Sequence, residues 1–183
     1  HRVPVVSGFM SRRAWIAEAL GVDESQLLAR FSDAAEHPLA SRLVPRDEAP
    51  CQQVVHTKNI DLHALLPIPT HSEHDNGPYI TAGLVIARNP RTGVQNVSIN
   101  RIQVHAADRM AILLLPRHLH AFQKAAEAAG DALDVAVAIG VDPLTMLASQ
   151  AISPIDSDEL EIAGALHGAP LPVAKCVSNG VHV

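Results

Sequence analysis

Three short stretches hold the residue types with the most chemistry: Asn96-Val97-Ser98-Ile99-Asn100-Arg101, Pro116-Arg117-His118, and Glu159. An amide oxygen, an imidazole nitrogen and a carboxylate are three ligand types that could share one divalent cation. A neighbouring hydroxyl and guanidinium would suit an anionic group held beside that ion. Together they point to a phosphate-bearing cofactor anchored through a metal. Each piece also has an ordinary reading. Period-2 alternation puts Asn96, Ser98 and Asn100 on one strand face, with Val97 and Ile99 on the other. Small polar side chains are costly to bury without partners, so that face meets either solvent or a polar ligand. Arg101 falls on the Val97 side and reaches the same ligand only at a bulge or a strong twist.

His118 is expected to open a helix, where free N–H groups and the dipole gather anions. As one of eleven histidines, it reads by itself as a surface or capping residue. Glu159 closes the acidic run Asp156-Ser157-Asp158-Glu159, which by itself is a favourable charge cluster in a first helical turn. The group His71-Ser72-Glu73-His74-Asp75 resembles a metal cluster but lies between prolines and lacks a helical i, i+4 histidine pair, so it reads as a solvated loop. There is no Gly-rich dinucleotide fingerprint, no phosphate-loop lysine motif and no Gly-x-Ser-x-Gly elbow.

The elements that must position these residues alternate between helix and strand. Ser11 is a candidate N-cap for a helix through Ala14, Ile16, Ala17 and Leu20, stopped by Gly21. Asp23 and Gln26 form a capping box for a second helix over Leu27, Leu28 and Phe31, ending near His37. A connector rich in Pro and charge spans 38–50. Strand-like pieces follow at Val54-Val55-His56 and Ile60-Asp61-Leu62, and the two prolines of Leu66-Pro67-Ile68-Pro69 forbid a central strand. Strands over 79–87 and 94–104 flank Asn89-Pro90-Arg91-Thr92-Gly93, a hairpin signal. A strand over 110–115 leads to Pro116, in the first turn of a helix through Leu119, Phe122, Ala125 and Ala128 that Gly130 stops. Then come a strand over 133–139, a short helix from Asp142 and a helix capped by Ser157 or Asp158 and stopped by Gly168. A strand over 170–177 closes the series. The reading is mixed α/β, a hairpin-rich sheet with helices between the later strands.

The chain has 183 residues, of which 48% are hydrophobic and only five aromatic, so its core must be aliphatic. A formal charge of -5 argues against sequence-independent nucleic-acid binding, which needs a basic face. No apolar run reaches the ~20 residues of a membrane span. Cys51 and Cys176 lack paired spacing and read as idle thiols in a reducing compartment, so a cytoplasmic setting is expected. The chain opens on His1 and closes on a strand-like Gly180-Val181-His182-Val183. It is therefore expected to be a piece of a longer polypeptide, or a chain whose remainder was cut away.

In order and spacing, the set resembles the central part of the UbiD-type decarboxylases, which use prenylated flavin mononucleotide. The matching stretches are Asp75-Asn76-Gly77-Pro78-Tyr79-Ile80-Thr81, residues 96–101, Pro116-Arg117-His118, and Ala138-Ile139-Gly140-Val141-Asp142-Pro143. They continue through Asp158-Glu159, Ala163-Gly164-Ala165-Leu166-His167-Gly168 and Val173-Ala174-Lys175-Cys176. The resemblance implies that Asn96, His118 and Glu159 hold manganese or magnesium, bridged to the flavin phosphate. It implies cofactor contacts from Thr81, Asn96, Val97, Ser98, Ile99, Asn100, Arg101, Arg117, His118, Ser149, Gln150 and Glu159. Oxygens of Ala148, Ser149, Ala151 and Glu159 would hold a potassium ion, and Arg101 would be the catalytic arginine facing the substrate carboxylate. The implied chemistry is reversible, non-oxidative decarboxylation of an aromatic or α,β-unsaturated acid, the flavin taking up the charge left by carbon dioxide.

The family's Pro-Ala-x-x-Glu stretch, with its general acid/base, would follow the strand that includes Val183, so this piece alone is expected to bind cofactor poorly and turn over nothing. The implied layout is an N-terminal α/β region over 1–49, a split-barrel flavin domain over 50–172, and the start of a linker or C-terminal domain over 173–183. A homodimer or larger homo-oligomer is implied, with a flavin prenyltransferase supplying the cofactor. Two rivals stand beside this reading: a non-catalytic cofactor-binding subunit, and a metal-free flavin-binding or flavin reductase module.

Overall fold

The computed structural model describes residues 3–8 and 10–183. The fold is mixed α/β, as expected from the sequence. The helical opening consists of α1 (Arg13–Leu20), a short 3-10 turn and α2 (Leu27–Glu36). Gly21 ends α1 in the left-handed conformation at φ 65. The Asp23–Gln26 capping box forms as read, with both reciprocal bonds present. Ser11 is not the cap of α1; that place falls to Arg12, whose side chain makes no capping bond.

Two strands lie at opposite ends of the sequence. The supposed connector over 38–50 contains β1 (Arg42–Val44), which pairs in parallel with β8 (Pro172–Ala174). Nothing local marks a three-residue strand whose partner is so distant. Conversely, no strand forms at Val54-Val55-His56, where Val54 is 74% exposed. Residues 60–62 lead instead into the single turn α3 (Leu62–Leu65), because the Asp61 carboxylate accepts from the His63 and Ala64 amides. That side-chain bond offers the backbone an alternative to a ladder.

The remaining strands form two three-stranded antiparallel sheets. One has the order β2 (Tyr79–Ile80), β5 (Ile102–Ala106), β6 (Arg109–Ile112). The other has β4 (Gln95–Ile99), β3 (Leu84–Arg88), β7 (Val135–Ala138). No closed barrel is present among the described residues. The expected single strand over 79–87 is broken near Gly83, where a Cβ would lie 2.9 Å from Ile80 and 3.0 Å from Val137. The expected strand over 94–104 is broken at Asn100-Arg101, the crossing from one sheet to the other. The hairpin signal is realised between β3 and β4, which pair from Leu84↔Ile99 to Arg88↔Gln95. The strand expected over 110–115 ends at Ile112.

Central strand β3 divides the aliphatic core by its alternation. Val85 and Ala87 join Ile80, Ile102, Val104, Leu119 and Phe122, the last two from α4 (His118–Ala129). Leu84 and Ile86 join Val97, Met146, Leu160, Val173 and Val181 on the other side. A third cluster packs α2 against α5 (Pro143–Ala148) and α6 (Glu159–His167) through Ala34, Leu144, Ile162 and Leu166. Strand β6 contrasts with all of these, with Met110 43% and Ile112 38% exposed. Both thiols are free, Cys51 exposed and Cys176 half-buried.

Two close approaches fix the helices that border the site. Gly164 in α6 faces backbone: a Cβ there would lie 3.1 Å from Ala169 O and Leu171 N and 3.2 Å from Leu39 O. Backbone cannot step aside as a side chain can, so Gly164→Ala should destabilise by about 1–3 kcal/mol, measured as a shifted urea midpoint at unchanged slope. At the start of α5, Asp142 accepts from the Leu144 and Thr145 amides and from the Thr145 hydroxyl, and lies 3.0 Å from His167. Burial pushes its carboxyl up, but Thr145, His167 and Leu144 outweigh burial and hold it below the ordinary value. A depressed carboxylate stabilises the fold above the unfolded pKa and loses that contribution as pH falls through the folded one. The stability difference between the wild type and Asp142→Asn should therefore persist at neutral pH and close only below about pH 4.

Candidate functional site

Four segments meet at a cleft of about 510 Å³. Strand β4 and its exit supply residues 96–100, the approach to α4 supplies 114–119, the turn after α5 supplies 149–153, and α6 supplies Glu159. The carboxylate of Glu159 is the hub. Glu159 is 2% exposed, and its Oε2 accepts from the Val97 amide at 2.6 Å and from Asn96 Nδ2 at 3.1 Å. Its Oε1 accepts from the Ser153 hydroxyl at 2.8 Å and from the same Asn96 nitrogen at 3.1 Å. Asn96 Nδ2 also lies 3.4 Å from His118 Nδ1. Thus the amide, the imidazole and the carboxylate surround one point.

The electrostatics at that point are one-sided. Every group bonded to Glu159 is neutral, and burial pushes its carboxyl above the ordinary value, only partly offset by Val97, Ser153 and Asn96. Its neighbour Asp158, which caps α6 by accepting from Leu160, is pushed up to about 6 by burial, with Glu161 and Glu159 adding to the rise. The Asn96 NH2 lies between His118 and Glu159. Amide oxygen and nitrogen exchange by a half-turn about χ2, which would present an oxygen to a cation. The resulting N/O donor set, without thiolate, fits a hard or borderline divalent cation. Among the described residues no group of three His, Cys, Asp or Glu could hold a metal; here the third ligand would be an amide.

The sequence-derived candidates divide into two groups. Asn96, Val97, Ser98, Ile99, Asn100, Arg117, His118, Ser149, Gln150, Ala151 and Glu159 all line this cleft. Asn96 is buried and Ser98 and Asn100 are half-buried, so the face of Asn96 does not simply meet solvent. Arg117 is the N-cap of α4, without a side-chain capping bond, which moves the helix start one or two residues beyond the place expected from Pro116. Thr81, Arg101 and Ala148 are not among the lining residues. Ala148 is fully buried in α5. Thr81 is exposed, its hydroxyl 3.5 Å from His71 Nε2. Arg101 stands outside the cleft, ion-paired to Asp75 with its guanidinium 4.2 Å above the Tyr79 ring. The loop over 71–75 is therefore solvated only in part, since Asp75 turns inward. Sequence reasoning missed Ser153, a hydroxyl that no spacing rule ties to Glu159.

A family model described as the UbiD 3-octaprenyl-4-hydroxybenzoate carboxy-lyase Rift-related domain matches residues 42–183. The chain belongs to the UbiD family. Anhydromevalonate phosphate decarboxylase of Methanothermobacter thermautotrophicus is 39% identical over 174 residues, covering 95% of this chain and 40% of that protein. The UbiD-class enzyme HmfF of Pelotomaculum thermopropionicum, in complex with FMN, matches with a TM-score of 0.97 at 49% identity, over 100% of this chain and 41% of its own. An evolved dimeric form of HmfF, in complex with prFMN, gives the same TM-score. Apo 3,4-dihydroxybenzoic acid decarboxylase (AroY) of Klebsiella pneumoniae gives 0.88 at 32% identity, over 96% of this chain and 38% of its own. The chain thus spans about two fifths of the length of each of these relatives. Among the described residues, no helix is long and apolar enough to cross a membrane.

The raised Glu159 carboxyl generates a pH test on metal-free protein. A carboxyl whose folded pKa lies above its unfolded value favours folding at low pH, and the advantage is lost as pH rises through the folded pKa. Glu159→Gln cannot ionise. It should therefore match the wild type in urea midpoint near pH 4 and exceed it at pH 7.5; a variant less stable at pH 7.5 would contradict the one-sided electrostatics.

Proposed function

We propose that this cleft anchors the phosphate of a prenylated flavin mononucleotide through a divalent cation, within a reversible, non-oxidative decarboxylase of aromatic or α,β-unsaturated acids. The observation that carries the reading is the meeting of Asn96, His118 and Glu159 around one point, in a UbiD-family chain whose solved relatives include FMN and prFMN complexes. Relatives that decarboxylate quite different acids share this framework. The protein would thus supply a common cofactor seat, and the choice of acid would rest elsewhere.

The residues fall into roles by their chemistry. The Asn96 amide oxygen, the His118 imidazole and the Glu159 carboxylate would hold manganese or magnesium. Oxygens of Ala148, Ser149 and Ala151, with Glu159, would hold potassium. Arg117 and the first amides of α4, left without a side-chain cap, are donors suited to a phosphate. Ser98, Asn100 and Gln150 offer further polar contacts, and Ile99, Leu114 and Leu115 give the cleft apolar surface for a conjugated ring. Thr81 would stand beside the rings. A bound prenylated flavin supplies the electron sink that lets the bond to the carboxylate carbon break. Arg101 would hold the acid by two parallel N–H···O bonds and so orient that bond. Carbon dioxide leaves, a proton takes its place on carbon, and no net oxidation occurs.

The same reading takes residues 50–172 as the flavin-binding unit, flanked by 1–49 and 173–183. It adds a homodimer or larger assembly, a flavin prenyltransferase as cofactor supplier and a cytoplasmic setting. The test uses the full reading frame that includes these residues, co-expressed with a flavin prenyltransferase. Purified protein should contain flavin and stoichiometric metal, and should release carbon dioxide from an aromatic acid. Asn96→Ala, His118→Ala and Glu159→Gln should each lose metal and most of the flavin. Manganese at a hundred times its Kd should stabilise the wild type by about 2.7 kcal/mol and leave Glu159→Gln unmoved. Full flavin retention in all three variants would favour the metal-free module instead.

A further inference from the structure

Arg101 is held in a way that its exposed position does not require. The residue follows the end of β4 and precedes β5, where the chain crosses between the sheets. Its Nη2 pairs with Asp75 Oδ1, and its guanidinium carbon lies 4.2 Å from the centre of the Tyr79 ring. The pairing is lopsided: the Asp75 side chain is 14% exposed and the Arg101 side chain 58%. Asp75 is itself fixed, since its Oδ2 accepts from the Ser72 amide at 3.1 Å while its own amide donates to Ser72 O at 3.0 Å. The loop is fixed in turn. Tyr79 donates its amide to Pro69 O and pairs with Gln103 of β5, the Val104 amide donates to Pro78 O, and the Gln103 side chain donates to Asn76 O. A rigid carboxylate and a rigid ring therefore grip one end and one face of a long, flexible cation.

We propose that Asp75 and Tyr79 are positioning residues that pre-orient the Arg101 guanidinium to receive a carboxylate from outside the chain. The proposal rests on the proposed function, in which Arg101 binds the acid. An exposed arginine loses rotamer freedom when it binds, and a fork already oriented loses less. Asp75 takes Nη2 and Tyr79 takes one face, while an arginine more than half exposed leaves the rest of its fork within reach of a ligand. Only one Asp75 oxygen is engaged by Arg101, because Ser72 takes the other. This is a single-point hold and not the bidentate pairing that would close the site.

The test uses the full-length, cofactor-loaded protein with benzoate as the probe and benzamide, equal in shape but uncharged, as the control. Asp75→Ala and Tyr79→Leu should each weaken benzoate binding on the order of fivefold. Tyr79→Phe, which keeps the ring, should bind as the wild type does, and benzamide affinity and flavin content should be unchanged throughout. The deciding arm is an Arg101→Ala background, in which Asp75→Ala should add no further loss. Should Asp75→Ala misfold, Asp75→Asn, which keeps shape without charge, takes its place with a smaller loss in the same direction. Tighter benzoate binding in Asp75→Ala would overturn the proposal, making Asp75 a competitor of the ligand. An equal loss with and without Arg101 would overturn it in favour of a structural role. Unchanged benzoate binding in Arg101→Ala alone would instead sink the reading of Arg101 on which the proposal stands.

Discussion

A carboxylate in the interior with only neutral partners is the constraint around which this molecule is arranged. Glu159 sits in the first turn of α6, and that helix is packed on both sides, Ile162 and Leu166 into one aliphatic cluster and Leu160 into another. The helix therefore cannot turn its acid towards water. What remains is to surround the group with donors, and Val97, Ser153 and Asn96 do so without neutralising it. Buried charge tends to be protonated, paired or metal-bound. Under the proposed function the third outcome applies, with His118 on the cleft side and the Asn96 amide turned about χ2.

The same argument explains why strand β4 is both interior and polar. Gln95 and Asn96 point to opposite faces of the strand and both are buried, so each amide needs a partner. Gln95 bonds the His182 backbone and Asn96 bonds Glu159, so each amide is satisfied by a segment distant in sequence. The polar strand is thus a seam between the helical cluster and the chain's last residues.

Most of what is local was legible in the sequence. The Asp23–Gln26 box, the Asp142 and Asp158 caps, the glycine stops and the hairpin between β3 and β4 each rest on residues within a few positions of one another. The misreadings rest on distance. Strand β1 exists because β8 lies beside it, whereas among the described residues Val54-Val55-His56 has no strand partner. The breaks at Gly83 and Asn100-Arg101 come from close packing and from the passage between sheets, neither of which leaves a periodic trace. At the site, residue types and order singled out Asn96, His118 and Glu159, but not the hydroxyl of Ser153. Alternation did place Arg101 away from Asn96. It could not reveal that a loop classed as solvated folds inward to meet it.

Strand β6 has a consequence for handling the molecule. It is an outer strand whose Met110 and Ile112 side chains stand in water, and Leu113 just beyond is 73% exposed. Unsatisfied amides and carbonyls along an aliphatic margin invite a second ribbon of chain to add on by edge-to-edge pairing. Colloidal behaviour at high protein concentration would accordingly be governed by this margin, and a single lysine introduced there would act as a gatekeeper without touching the cleft.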